Sequence, residues 1–336
     1  MLNHSAFTFD DVLLVPAYNH HESRRHVDIH AKDQLNKLEL EVPLLSANMD
    51  TITESAMANF MSSKGGMGVI HRFMSIDRNV EEFKKCTHKA CVSIGCTEKE
   101  LARAEALRDA GATYFCLDVA HAHAKYVGHM LKRLREMLPN ECLIAGNVAT
   151  YAGADYLSSC GADIIKVGIG GGSVCTTRIK TGFGVPMLSS IGECARVGRS
   201  IIADGGIRTA GDIVKALAFG ADFVMIGGML AGTRPTPGVL HEGASGQKYK
   251  QYRGMASKEA QDDFFNMSDW KTAEGVAVEV PYRTDEDAII ADIIGGLRSG
   301  LTYGGASTIG ELQRKLDYRI VTNAARLESL PHKQAG

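Results

Sequence analysis

Ala110-Gly-Ala-Thr-Tyr-Phe-Cys-Leu-Asp118, Cys160-Gly-Ala-Asp-Ile-Ile-Lys-Val-Gly168 and Phe219-Gly-Ala-Asp-Phe-Val-Met-Ile-Gly227 repeat one pattern. In each, a helix-ending glycine is followed by alanine, a polar turn residue and a run of apolar and β-branched residues. Each copy reads as one junction between a crossover helix and a buried strand. Runs of the same kind predict eight strands: Pro43–Ala47, Met67–Ile70, Cys91–Ile94, Tyr114–Asp118, Cys142–Ala145, Ile164–Gly168, Ile201–Asp204 and Phe223–Ile226. Between them, Glu98–Ala110 (Leu101, Ala104, Leu107 and Arg108) and Thr209–Ala218 (Ile213, Leu217) have helical spacing. Continuous apolar strands are buried on both faces, as parallel strands with helical crossovers must be. No G-x-G-x-x-G fingerprint opens a helix near the start, so a closed (β/α)8 TIM barrel is expected rather than an open doubly wound sheet. The residues before Pro43 read as a short extension. Pro235–Arg283, polar and irregular in pattern, reads as a flap after strand eight. The whole of 1–336 is thus expected to be one barrel domain.

Composition narrows the function classes. Lys+Arg 37 against Asp+Glu 39 leaves a net charge of −2, without the basic footprint of a duplex-DNA binder, so no nucleic-acid partner is expected. The N-terminus has no basic region followed by a long apolar run, and no stretch reaches the ~18 apolar residues of a membrane span, so a cytoplasmic protein without a membrane partner is expected. Most of the 8 cysteines lie in apolar runs and are expected to be free thiols. Cys86, Cys91 and Cys96, with His88 among them, miss the paired spacing of structural zinc. Glycine is the outlier, at 36 of 336 residues.

In a barrel the working groups follow the strands. After Ile164–Gly168 come Ile169-Gly-Gly-Gly-Ser-Val-Cys-Thr-Thr-Arg178. Consecutive glycines free backbone N–H and C=O groups to wrap an anion or a desolvated cation. A positive charge near a thiol favours the thiolate, so Cys175, with Arg178 close in sequence, is the best nucleophile candidate. The alternative is a structural cysteine in a glycine turn. Gly205-Gly206 and Gly227-Gly228 end strands seven and eight, the pair whose loops commonly build a phosphate site, though glycines also serve tight turns. Asp204, at a strand end, can accept hydrogen bonds from ribose hydroxyls. His121-x-His123 with Asp118 and Asp204 offers a second class, a metal-dependent hydrolase, but no third histidine ends another strand.

Taken together, Phe9-Asp-Asp-Val-Leu-Leu14, Ser46-Ala-Asn-Met-Asp-Thr51, Gly170-Gly-Gly-Ser-Val-Cys-Thr-Thr-Arg178, Ala203-Asp-Gly-Gly206 and Tyr252-Arg-Gly-Met-Ala-Ser257 resemble the IMP dehydrogenase/GMP reductase family over almost the whole chain. The resemblance implies a barrel assembling as a homotetramer, with a purine mononucleotide joined through C2 to Cys175. It implies phosphate contacts at Ser173, Gly205, Gly206, Gly227 and Gly228. Nucleotide contacts carry over to Ser46, Met49, Asp204, Gly254, Met255, Ala256 and Lys271. It further implies a monovalent cation, K+, at Gly170, Gly172, Cys175 and Arg178. For the dinucleotide it implies Ser23, Arg24, Arg72, Asp118, Val119, Ala120, Ile169, Gly170, Trp270 and Ser299, with Ser23 and Arg24 reached from a neighbouring subunit.

Both activities of the family pass through the same thioimidate, and the resemblance implies that water resolves it in one and hydride in the other. The dehydrogenases carry an Arg-Tyr pair on a long flap and, usually, an inserted pair of CBS motifs after strand two. Here residues 258–273 contain neither Arg nor Tyr, and Met67–Ile70 leads through one helix to Cys91–Ile94. The resemblance therefore points to NADPH-dependent reductive deamination of GMP to IMP, with Thr177 and Glu274 relaying a proton to the departing amine. The alternative is dehydrogenation of IMP with NAD. Trp270-Lys271 replaces the reductases' Tyr-Arg and Arg72 their Lys, while His121-Ala-His123 and Leu297-Arg-Ser-Gly300 look more like the dehydrogenases.

Overall fold

The computed structural model describes residues 5–265 and 272–330. Eight parallel strands close into a barrel: β1 (Leu44–Ser46), β2 (Met67–Ile70), β3 (Ala90–Ile94), β4 (Tyr114–Asp118), β5 (Cys142–Val148), β6 (Ile164–Val167), β7 (Ser200–Asp204) and β8 (Phe223–Ile226). The barrel closes where β8 meets β1, Val224 opposite Leu44 and Met225 opposite Leu45. All eight predicted strands are present, β5 running on to Val148. Their apolar runs are buried because one face fills the barrel and the other meets the helices.

Helices connect successive strands: Ser55–Ser63, Ile76–Lys84, Glu98–Asp109, Lys125–Met137, Tyr151–Ser159, the short Thr177–Thr181 with Met187–Cys194, and Ala210–Ala218. The three repeated glycines, Gly111, Gly161 and Gly220, all take positive φ (+97°, +110° and +109°) just past a helix end, which is why the pattern begins with glycine. Thr209 and Asp212 form a reciprocal capping box that starts the helix at Ala210. Glu286–Tyr303 follows β8 and crosses that helix closely. A Cβ on Gly296 would lie 2.3 Å from the Ala210 Cβ, and one on Gly300 2.5 Å from Val214. Between β2 and β3 lies the single helix Ile76–Lys84. Among the described residues no helix is long and apolar enough to cross a membrane.

The extension before β1 is tied down at both ends of the chain. Val12–Leu14 pairs antiparallel with Tyr318–Ile320, and Phe9 is fully buried. The segment after β8 corrects the expectation of an irregular flap. It holds an antiparallel sheet, β9 (His241–Glu242), β10 (Lys248–Arg253) and β11 (Ala277–Pro281), with a helix, Lys258–Phe265, between its last two strands. Its polarity has a structural use. Lys250 is buried and donates to the carbonyls of Thr233, Arg234 and Thr236, so a charged residue in this strand packs inward instead of marking a loop.

Candidate active site

Cys175 lies on the glycine loop after β6. Its N–H donates to the Gly172 carbonyl (3.1 Å), and its sulfur is 3.2 Å from the Thr177 hydroxyl. Glu274 reaches this loop through backbone lacing. Thr176 N–H donates to the Glu274 carbonyl and Val276 N–H to the Val174 carbonyl. On its other side, Glu274 N–H donates to Ala256 and Gly254 N–H to Val276. Gly275 thus bridges the cysteine loop at Cys175 and the 254–257 loop at Ser257. Only a residue without a side chain fits in the middle: a Cβ on Gly275 would stand 3.0 Å from Ser257 N and 3.2 Å from the Val174 carbonyl.

A cavity of about 350 Å³ opens over the sulfur. Cys175, Thr177 and Glu274 line it together with Met49, Gly254, Met255 and Ala256. Arg72, Asp118, Val119, Ala120, Ile169, Gly170 and Gly172 line it as well. An adjoining cavity of about 280 Å³ shares Met49, Gly172, Asp204 and Gly205 with the first and adds Ser173, Gly206, Gly227 and Gly228. Gly205 and Gly206 take positive φ (+107° and +75°), so they make a tight turn and open onto the cavity at once. Tyr252, absent from the sequence expectations, is buried between the two lobes, its hydroxyl 3.1 Å from the Ser173 Oγ.

The electrostatic centre is Lys166 on β6, another residue that sequence reasoning missed. Its Nζ lies 2.7 Å from Asp118 Oδ1 and 2.6 Å from Asp204 Oδ2. Burial alone would raise the Asp118 carboxyl, but the charge and hydrogen bond of Lys166, with Arg72 and Asn48, hold it below the ordinary range. Burial likewise opposes the charge on Lys166, and the two carboxylates more than offset it. The signal was available: a lone lysine inside an apolar strand needs partners, and two nearby strands, β4 and β7, end in aspartate.

Three arginines act elsewhere than at the sulfur. The Arg178 guanidinium donates to the Ile169 and Val185 carbonyls, so it braces the glycine loop, and the polar neighbour at the sulfur is Thr177. Arg72 stacks over the Phe73 ring at 4.8 Å. Arg253, preceding Gly254, pairs with Asp50 and Asp263 and ties β10 to the loop after β1. The other thiols behave as core groups: all eight cysteines are free, and burial pushes Cys86 up to about 11 and Cys96 and Cys194 to about 12.

Some expected site residues fall outside these cavities. Ser46 is fully buried, its Oγ accepting from the Thr53 hydroxyl, because it points into the packed end of β1 and not into the open lobe. Arg24 donates to Ser299 Oγ at 2.8 Å and Ser23 caps the adjacent turn, so these three lie together, apart from the cavities. Trp270 and Lys271 lie outside the described residues. His121 and His123 sit edge to face 6.5 Å apart, and Lys166 fills the place between Asp118 and Asp204. Among the described residues no three His, Cys, Asp or Glu side chains gather to hold a metal ion.

Comparison with known proteins agrees with this arrangement. The model of the IMP dehydrogenase / GMP reductase domain matches residues 6–332. GMP reductase 1 of Mus musculus is 38% identical over 327 residues, covering 94% of both chains. An inosine-5'-monophosphate dehydrogenase of Nitrosopumilus maritimus (strain SCM1) is 31% identical over 470 positions, covering 97% of this chain and 98% of that one. A solved structure described as inosine 5' monophosphate dehydrogenase from Legionella pneumophila superposes with a TM-score of 0.89 at 70% identity, covering 95% of this chain and 99% of that one. A closed eight-stranded barrel is thus joined to similarity along nearly the full length, and the chain belongs to the IMP dehydrogenase/GMP reductase family of oxidoreductases.

Proposed function

We propose that this chain carries the reductase activity of its family, converting GMP, NADPH and protons to IMP, NADP+ and ammonium. One observation carries this reading: residues 258–273 contain neither Arg nor Tyr, so the flap has no pair with which to activate water. Among the described residues lining the cavity, the guanidinium is that of Arg72, packed across Phe73. Alignment length separates this chain from one dehydrogenase relative, though the Legionella pneumophila chain, covered to 99%, has no such surplus. The dehydrogenase relative spans 470 positions, of which 97% of this chain fills about 326, so about 140 have no counterpart here. The reductase relative aligns over 327 with few gaps.

In this reading the Cys175 sulfur attacks purine C2, and Thr177 and Glu274 move a proton to the exocyclic amine so that it leaves as ammonia. The dinucleotide, when bound, supplies hydride to C2, and expulsion of the sulfur releases IMP. The residues fit such a partner: Asp118 offers acceptors for hydroxyls and Arg72 a positive charge at one side of the larger lobe. Ser173, Tyr252 and the glycines of the smaller lobe suit the phosphate, and Asp204 the ribose. A monovalent cation would be held by backbone carbonyls of Gly170, Gly172, Cys175 and Arg178 and would stiffen the loop. Neutral carbonyl oxygens suit such an ion, whereas the Arg178 side chain has no acceptor to give. Ser23, Arg24 and Ser299 complete a dinucleotide site across subunits of a homotetramer in this reading.

A dehydrogenase reading is favoured by the Legionella pneumophila neighbour at 70% identity. The discriminating assay follows the absorbance of reduced nicotinamide in two mixtures. GMP with NADPH is expected to be consumed, and IMP with NAD to give no signal. Production in the second mixture alone overturns the proposal.

A further inference from the structure

Lys166 stands in a strand whose other residues are apolar, and its side chain is 3% exposed. Three other barrel strands contribute to its surroundings. Asp118 ends β4 and Asp204 ends β7, each in direct contact with the ammonium. Asn147, from β5, accepts from Lys166 and donates its Nδ2 to the same Asp204 oxygen at 2.9 Å and to the Gly168 carbonyl at 2.7 Å. Both carboxylates keep about a fifth of their surface open (22% and 20%), and both line the cavity over Cys175. One inward ammonium therefore fixes two outward-facing carboxylates. A carboxylate accepts several hydrogen bonds, so contact with Lys166 leaves oxygen lone pairs for ligand hydroxyls.

We propose that Lys166 is a positioning residue that serves both ligands, aiming Asp204 at the mononucleotide's ribose and Asp118 at the dinucleotide. It rests on the assignment of those two carboxylates under the functional reading above. Without the ammonium, two like charges flank the place it filled, and one must move away or take a proton. Both half-sites then lose their geometry together.

The test measures direct binding of GMP and, separately, NADPH by calorimetry, with IMP and NAD in parallel so that the effect is read on the pair the unaltered protein binds. Lys166→Met is expected to weaken both ligands by about tenfold or more, the scale of a lost charge-assisted hydrogen bond. Lys166→Arg is expected to restore most of this. Asp204→Asn should weaken the mononucleotide alone and Asp118→Asn the dinucleotide alone. Because Lys166→Met strands two charges, Lys166→Met/Asp118→Asn is measured as well. It is expected to bind the mononucleotide about tenfold more weakly than Asp118→Asn. A change in one ligand only, or in neither, overturns the assignment. Binding of IMP and NAD in place of GMP and NADPH overturns the reductase reading and leaves the Lys166 result intact, and binding of neither pair overturns both.

Discussion

Replacing Arg253 by methionine isolates the ion pair that fastens β10 to the loop after β1. Asp50 Oδ2 accepts both Nε (2.9 Å) and Nη2 (2.5 Å) of Arg253, while Asp50 Oδ1 is buried with no hydrogen-bond partner. The two side chains are only 9% and 8% exposed. Arg253→Met therefore leaves a desolvated carboxylate without its counter-charge, a loss worth about 3–5 kcal/mol. For a chain of this size that corresponds to a fall in Tm of roughly 4–7 °C. Removing both partners with Arg253→Met/Asp50→Leu is expected to recover most of it, because the desolvation penalty then disappears. Gly254, Met255 and Ala256 follow Arg253 directly and line the cavity, so the single variant should also raise the KM for the nucleotide. Thermal unfolding by circular dichroism measures the first effect and steady-state kinetics the second. A loss below about 1 kcal/mol, or a double variant no more stable than the single one, refutes the account of a buried pair.

Two further outcomes follow from the site and the core. Cys175→Ser is expected to cut turnover by about a thousandfold or more while nucleotide binding persists, since a hydroxyl is a far weaker nucleophile beside Thr177; near-normal turnover rules out the covalent step. Burial pushes the Asp222 carboxyl up to about 6, above the ~3.9 of an unfolded chain, so its stabilising contribution is present at low pH and lost as pH rises through about 6. Asp222→Asn keeps an acceptor for the Ile201 N–H, and its Tm relative to the parent should climb between about pH 5 and about pH 8; a constant difference contradicts the raised value.

The barrel was legible because its determinants are local. Each strand is a continuous apolar run, and Gly111, Gly161 and Gly220 mark helix ends that only positive φ explains. The positions of Cys175 and of the glycines that line the smaller cavity were legible for the same reason, as loop residues directly after strands. What stayed hidden depends on pairing across distance. β10 and β11 meet only after an intervening helix, and the polarity of Lys250 concealed its inward direction. Glu274 was reached through family resemblance because its tie to Cys175 is backbone lacing between segments far apart in sequence. Ser46 was misplaced since a motif gives the position of a residue but not the side of the strand its hydroxyl takes. Lys166 was read as part of a strand, and its purpose emerges only when the ends of β4 and β7 are brought beside it.

Thr8 and Asp10 form part of the wall of the smaller cavity, and Asp10 is bound by Arg208 and by Arg326 near the other terminus. The strand that follows them pairs with Tyr318–Ile320. The wall of the smaller cavity therefore leans on a clasp between segments 316 residues apart in sequence, Asp10 held by Arg326 and Val12–Leu14 by its paired strand. A chain clipped before Tyr318 would keep Cys175 and the glycine loops yet lose the support of that cavity wall.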